Sequence, residues 1–304
     1  MREESALREL VPRGGNIPSK DQWTDIAGQL GEEGGGPLRQ VTYTWRDGQT
    51  SMELLLGSEE PRPANGRGEI RLVRRGEEEY PYALYVPRGY DPGDRRKKWP
   101  LVFFFHGIGE RGDDPAIVLR HGLLRHLAEG GALDAIVVAP QCPADSHWAD
   151  APVELEKLRR FLPQMMEKLP VDKDKVYLTG LSMGGRCCWK LALAMPDTFA
   201  AMAVICGRTT NYEFQVIRDM PLWMFHGVQD STTSFDNIGL ILPRLLESGH
   251  RYYKLTVYPQ GGHAVWAETY ARAALYNWLL DQSLSENRAF AAARKTAEPC
   301  EAVP

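Results

Sequence analysis

Residues 175–185, KVYLTGLSMGG, carry an apolar, β-branched stretch directly into a Gly-x-Ser-x-Gly turn, and RCCWKLALAM continues it with the spacing of a helix. No other segment restricts the fold as strongly. A strand that turns at once into a helix around a serine leaves almost no room at the flanking positions, so a Cβ at Gly180 or Gly184 would meet neighbouring backbone. Such a turn pushes the Ser182 hydroxyl beyond the carboxyl edge of a sheet. It also places that hydroxyl at a helix N-terminus, where unpaired N–H groups favour negative charge. The competing reading is chance, because the chain holds 29 glycines; the position between strand and helix weighs against it.

The surrounding pattern fits a mostly parallel central sheet with helices on both faces, an α/β fold. GEIRLVRR and YPYALYVP alternate like antiparallel strands, the polar turn YDPGDRRKK follows, and WPLVFFFHG supplies a fully buried strand. Helices are then predicted at 115–129, 151–168, 183–195, 235–248 and 264–281, interleaved with strands at 135–140, 175–180, 201–206, 221–226 and 252–258. Three regions result: a polar, Gly-rich stretch at 1–67, a catalytic domain at 68–283, and a tail at 284–304 with a last helix to about Lys295. Within the first region a helical turn is expected near 19–30. Val41, Tyr43 and Trp45 alternate with polar residues ahead of Asp47-Gly48, which predicts an appended hairpin over 39–57.

Composition excludes several classes of partner. At 304 residues with 43% hydrophobic content the chain can bury a full core, and a net charge of -4 leaves no broad basic field for nucleic acid or an anionic membrane. The apolar run Leu101 to Phe105 is far short of the roughly 20 residues that cross a bilayer. The opening MREESALREL has neither a basic n-region nor an apolar h-region, so a cytoplasmic location is expected. The five cysteines are odd in number and lack CxxC spacing, which predicts free, mostly buried thiols, no disulfide framework, no zinc site and no cofactor.

A serine hydroxyl becomes a nucleophile only beside a general base that a carboxylate orients, in the chain order serine, acid, histidine for this topology. Of seven histidines, His263 in YPQGGHAVW lies between the strand at 252–258 and the last long helix, at the sheet's carboxyl edge. The alternative is a buried structural histidine. His106 and His226 each close a strand as His-Gly and read as packing or loop-shaping groups. His121, His126 and His250 fall on helical segments as surface residues, and His147 lies in a loop. Asp230, at the end of FHGVQD, is the expected acid; Asp236 is the second choice, better placed to cap the next helix. An oxyanion needs two backbone donors. One is the N–H of Met183, and the other comes from the loop His106-Gly-Ile-Gly-Glu-Arg-Gly112, where Ile108 is favoured over Gly107. A plain glycine turn is the alternative there. A phosphate cradle is disfavoured, since neither GxGxxG nor GxxxxGK[ST] is present.

FFFHGIGERGDD, VVAPQCP followed by Trp148, TGLSMGG, FHGVQD and GGHAVW occur in order across roughly residues 80–282. In this the chain resembles the α/β-hydrolase esterases related to feruloyl esterases, polyhydroxybutyrate depolymerases and dienelactone hydrolases. The resemblance implies that HGIGERG is the oxyanion loop, with Ile108 in it, and that Gln141 and Trp148 line the site. Gln141 as a structural loop amide and Trp148 as plain packing are the alternatives. Trp266 joins Trp148 and Ile108 as a wall for an apolar acyl or aryl group. Two departures stand out: VQDSTTSF lacks the usual residues after the acid, and the first 68 residues match nothing in that group. The expectation is a serine carboxylesterase acting on a small-molecule ester through an acyl-enzyme, with no oligomeric state implied. A prolyl-peptidase-like serine peptidase and a catalytically silent binding protein are the rivals.

Overall fold

A computed structural model describes residues 17–32, 38–56, 68–74, 79–148 and 151–297. Ten strands form one sheet: β1 (Leu38–Arg46), β2 (Gln49–Leu56), β3 (Glu69–Val73), β4 (Tyr82–Val86), β5 (Trp99–Phe105), β6 (Ile136–Pro140), β7 (Val171–Leu181), β8 (Ala201–Ile205), β9 (Leu222–Gly227) and β10 (Tyr252–Tyr258), in the order β2-β1-β10-β9-β8-β7-β5-β6-β4-β3. The six strands from β10 to β6 run parallel, and antiparallel pairs close both edges.

The WPLVFFF run lies inside the sheet with both faces covered, as an unbroken apolar stretch requires. Leu101, Phe103 and Phe105 enter one core layer while Val102 and Phe104 enter the other. The first layer takes side chains from α1 (Lys20–Glu32), α3 (Pro152–Lys168), α4 (Met183–Ala194) and α5 (Asp236–Glu247). The second takes them from α2 (Gly122–Ala128), α6 (Trp266–Tyr270), α7 (Ala273–Leu280) and the start of α8 (Leu284–Ala297). Among the described residues, no helix is long and apolar enough to cross a membrane.

Three expectations need amendment. The span 115–129 is a 3₁₀ turn over Pro115–Arg120 followed by α2, because the chain bends at Gly122 with φ +66°; a Cβ there would sit 2.7 Å from both Leu181 and Phe104. The span 264–281 breaks into α6 and α7, where the Tyr270 carbonyl accepts from the Tyr276 hydroxyl at 2.5 Å and Arg272 is extended. The hairpin β1–β2 is no appendage: β1 pairs with β10 along six residues, Trp45 stacks on Tyr253 at 4.7 Å, and Thr42 and Thr256 share a buried hydrogen bond of 2.8 Å. Its turn places Asp47 and Gly48 at φ +49° and +81°, the left-handed pair that a two-residue hairpin loop requires. The glycine-rich stretch at 33–37 and Cys300 lie outside the described residues.

Candidate active site

β7 ends at Leu181 and α4 begins at Met183, so Ser182 alone makes the bend, at φ +52° and ψ -116°. A non-glycine residue there costs on the order of 1–3 kcal/mol. The bend persists because its surroundings leave no alternative. A Cβ on Gly184 would lie 1.9 Å from the Phe105 carbonyl oxygen, and one on Gly180 would lie 2.6 Å from the backbone of Gly184. The helix therefore starts against the backbone of β5, and the Ser182 N–H donates to the Ile205 carbonyl at 2.8 Å.

Two loops at the same sheet edge bring the acid and the base. The loop after β9 and the loop after β10 are joined by bonds from Val228 N–H to Tyr258 O (3.0 Å) and from Gln229 N–H to Gly261 O (2.8 Å). On that frame His263 Nδ1 lies 2.7 Å from Asp230 Oδ2, and Nε2 lies 2.8 Å from Ser182 Oγ. A neutral ring donating from Nδ1 to the carboxylate leaves the Nε2 lone pair facing the hydroxyl. Asp230 is buried, which alone would raise its carboxyl pKa. Hydrogen bonds from His263 and from the N–H groups of Thr233 and Thr232, both onto Oδ1, reverse the balance and hold it below the usual carboxylate range. Asp236 stands apart as the first residue of α5, accepting from the Ser234 hydroxyl at 2.8 Å.

Cys206, His226 and Asp230 place one ligand atom each within 4.8 Å of one another. Their chemistry is that of a hydrogen-bond network. Burial pushes the Cys206 thiol pKa up and that of His226 down, and His226 Nε2 lies 2.8 Å from the Thr233 carbonyl, to which it donates. A metal would require a thiolate and free lone pairs.

Across the serine, Gly107 leads into a 3₁₀ turn at Ile108–Glu110, and Met183 is the first residue of α4. Backbone N–H groups at the first position of a helical turn have no partner within it. The loop is fastened from behind. Cys142 N–H donates to His106 Nε2 (3.0 Å), His106 Nδ1 donates to Gly107 O (2.6 Å), and Gln141 Nε2 donates to Glu110 O (2.9 Å). Burial lowers His106 to about 4, so its ring is neutral near pH 7.

Three residues are relocated relative to expectation. Gln141 is fully buried and holds the loop carbonyl of Glu110 rather than lining the site. Trp148 is also fully buried, packed against Tyr80, Phe105 and His106 at 5.4–5.6 Å, so it is a support beneath the loop and no wall. His250 is buried against Tyr253 rather than exposed. Trp266 packs its ring against His263, with centroids 5.2 Å apart and planes nearly perpendicular. The cavity over Ser182, about 470 Å³, is lined by Ile108 and Met183 but also by Arg186, Arg208, Thr232 and Asn237. The sequence offered one signal for Arg186, its place one helical turn after Ser182. For Arg208 the only signal was its position just past a strand.

Residues 100–238 match the family model of the alpha/beta hydrolase fold. The chain is 30% identical over 148 residues to a poly(3-hydroxyoctanoate) depolymerase of Pseudomonas fluorescens, covering 42% of this chain and 52% of that one. It is 31% identical over 132 residues to a probable feruloyl esterase C of Aspergillus terreus, covering 41% and 46%. The chain thus spans about half the length of these curated relatives. Among solved structures, a thermostable esterase superposes with a TM-score of 0.57 at 28% identity, covering 71% of this chain and 63% of that one. A feruloyl esterase module from Clostridium thermocellum gives 0.51 at 17% identity, covering 72% and 89%, a likeness of fold. Sheet, elbow and matches define an α/β-hydrolase-fold protein.

Proposed function

We propose that this chain hydrolyses carboxylic esters through an acyl-enzyme on Ser182. The observation that carries the reading is the continuous contact from Ser182 Oγ to His263 to Asp230, at 2.8 and 2.7 Å. His263 takes the serine proton as Oγ attacks the ester carbonyl, and Asp230 stabilises the imidazolium that forms. The developing oxyanion is held by the N–H groups of Met183 and Ile108. His263 returns the proton to the departing alcohol, then activates water to release the acid. Every proton transfer uses a group of this chain. Ile108, which lines the cavity, and Trp266, which packs against His263, are the proposed apolar walls for the acyl or aryl group. Residues 68–283 carry the proposed catalytic groups, and β1 and β2, which extend the same sheet beyond β10, are taken as part of the same unit. A cytoplasmic setting accords with the four described cysteines, all free and buried.

The test is turnover of p-nitrophenyl acetate. Ser182→Ala should lose on the order of a millionfold in kcat, as related triads do, with an unchanged circular dichroism spectrum and melting temperature. Ester hydrolysis retained by that variant would overturn the reading. A proline anilide assayed in parallel separates an esterase from a peptidase.

A further inference from the structure

The loop that carries His263 spans 259–265, between β10 and α6, and its aim depends on how firmly both ends are held. At the near end β1 pairs with β10, from Val41 opposite Val257 to Arg46 opposite Tyr252, so β10 is an interior strand and not a sheet edge. At the far end α6 is fastened at two adjacent residues. Thr269 Oγ1 lies 2.7 Å from the Tyr258 hydroxyl, a tie to β10. Glu268 Oε1 accepts from Gln40 Nε2 at 3.0 Å and lies 3.3 Å from Arg39 Nη2, a tie to β1. Neighbouring residues of a strand normally face opposite sides. Here the register of β1 against β2 steps from Leu38 opposite Leu56 to Gln40 opposite Leu55, leaving Arg39 as an extra residue, and this bulge lets both side chains reach Glu268.

The two contacts differ in weight. The Arg39 and Glu268 side chains are 38% and 37% exposed, and an ion pair in that setting contributes little. Gln40 is 1% exposed, and its Oε1 has no hydrogen-bond partner among the described residues. Burying an amide in that state costs stability that a methionine of similar length would not, so packing alone explains the residue poorly. The element that Gln40 holds, α6, begins with Trp266, whose ring packs against His263. Resting on the ester-hydrolase reading above, we infer that β1 positions the catalytic base: Gln40, supported by Arg39, holds Glu268 and thereby keeps α6, Trp266 and the His263 ring in register with Ser182. Gln40 acts through α6 and touches no reacting atom, so its contribution appears in kcat and not in KM.

The test sets activity against stability. In Gln40→Met the melting temperature should stay equal or rise, while kcat for p-nitrophenyl acetate falls by about tenfold and KM changes by less than about twofold. That loss is smaller than the roughly hundredfold that a misplacement of about 1 Å costs a catalytic arrangement. Glu268→Ala, at a partly exposed position, should show the same loss. Glu268→Gln keeps an acceptor for Gln40 Nε2 and should restore most of it, and Arg39→Ala should lose less than Glu268→Ala. Full kcat in folded Gln40→Met, or in Glu268→Ala where the first variant does not fold, would overturn the inference. So would a loss of kcat that only follows a lowered melting temperature, or a Glu268→Gln variant as slow as Glu268→Ala. Fluorophosphonate labelling of Ser182 in the same proteins keeps the two readings apart. Equal labelling rates in the wild-type chain and the Gln40 and Glu268 variants remove only the role of β1, whereas a wild-type chain that does not label removes the hydrolase reading and this inference with it.

Discussion

Asp230 meets His263 through one oxygen. Oδ2 accepts the Nδ1 proton of His263, while Oδ1 is occupied by the N–H groups of Thr232 and Thr233. In Asp230→Asn, the backbone donors keep the remaining oxygen, and the new NH2 faces Nδ1. The imidazole must then present a lone pair at Nδ1 and a proton at Nε2, which cannot accept the serine proton. Turnover should fall by about ten-thousandfold with folding retained, following the tautomer argument for related triads; steady-state kinetics beside circular dichroism check this. Trp148→Ala tests the opposite kind of residue. With its ring buried under the His106 loop, truncation should cost about 3–5 kcal/mol in urea unfolding, where loss of a substrate wall would leave stability nearly unchanged. At this scale the meeting of Ser182, Asp230 and His263 was legible because each follows a strand end in a fixed chain order. Gln141 and Trp148 were misplaced because burial depends on what packs above a loop, here Tyr80 and the 106–112 segment, and one sequence does not record that. Arg186 and Arg208 escaped notice because they converge only across the gap between α4 and the end of β8.

Two glycines in helices separate required from incidental positions. Gly184 lies against β5, and an added Cβ would overlap the Phe105 carbonyl at 1.9 Å. Because β5 is hydrogen-bonded on both sides, to β6 and β7, it cannot yield. Gly184→Ala should therefore destabilise by roughly 3 kcal/mol or more, beyond ordinary overpacking. Gly239, inside α5, has nothing within 4 Å of its added Cβ, and Gly239→Ala should stabilise by roughly 0.5–1 kcal/mol. Urea midpoints of the two variants give the comparison. The strand and helix alternation was legible because apolar runs such as VFFF and IVVAP can only be interior strands. Helix breaks at Gly122 and Arg272 were not, since a steric squeeze by Phe104 and Leu181 and a tyrosine hydroxyl on the Tyr270 carbonyl set them. The hairpin's pairing with β10 likewise depended on a long-range match between Thr42 and Thr256.

Across the whole molecule, acid sensitivity follows from buried histidines, of which His250 and His106 are the most strongly shifted beside the milder His226. Burial lowers His250 to about 3 and His106 to about 4, and neither ring nitrogen of His250 has a hydrogen-bond partner among the described residues. In the unfolded chain both titrate near 6.5. As pH falls below that value the unfolded state takes up protons that the native state refuses, so stability is fully present above about pH 6.5 and declines below it. The slope is roughly 1.4 kcal/mol per pH unit for each histidine until its native pKa is reached. His250→Gln should flatten the dependence of the urea midpoint on pH between about 6.5 and 4.5. An unchanged slope would mean that the ring is protonated and solvated in the native state.

The most direct measurement is mass mapping of the chain after reaction with a fluorophosphonate. The expected result is one adduct, on the peptide containing Ser182, absent from Ser182→Ala and formed far more slowly in His263→Ala. An adduct on another serine, or none under conditions where the chain is folded, would contradict a nucleophile at the bend between β7 and α4.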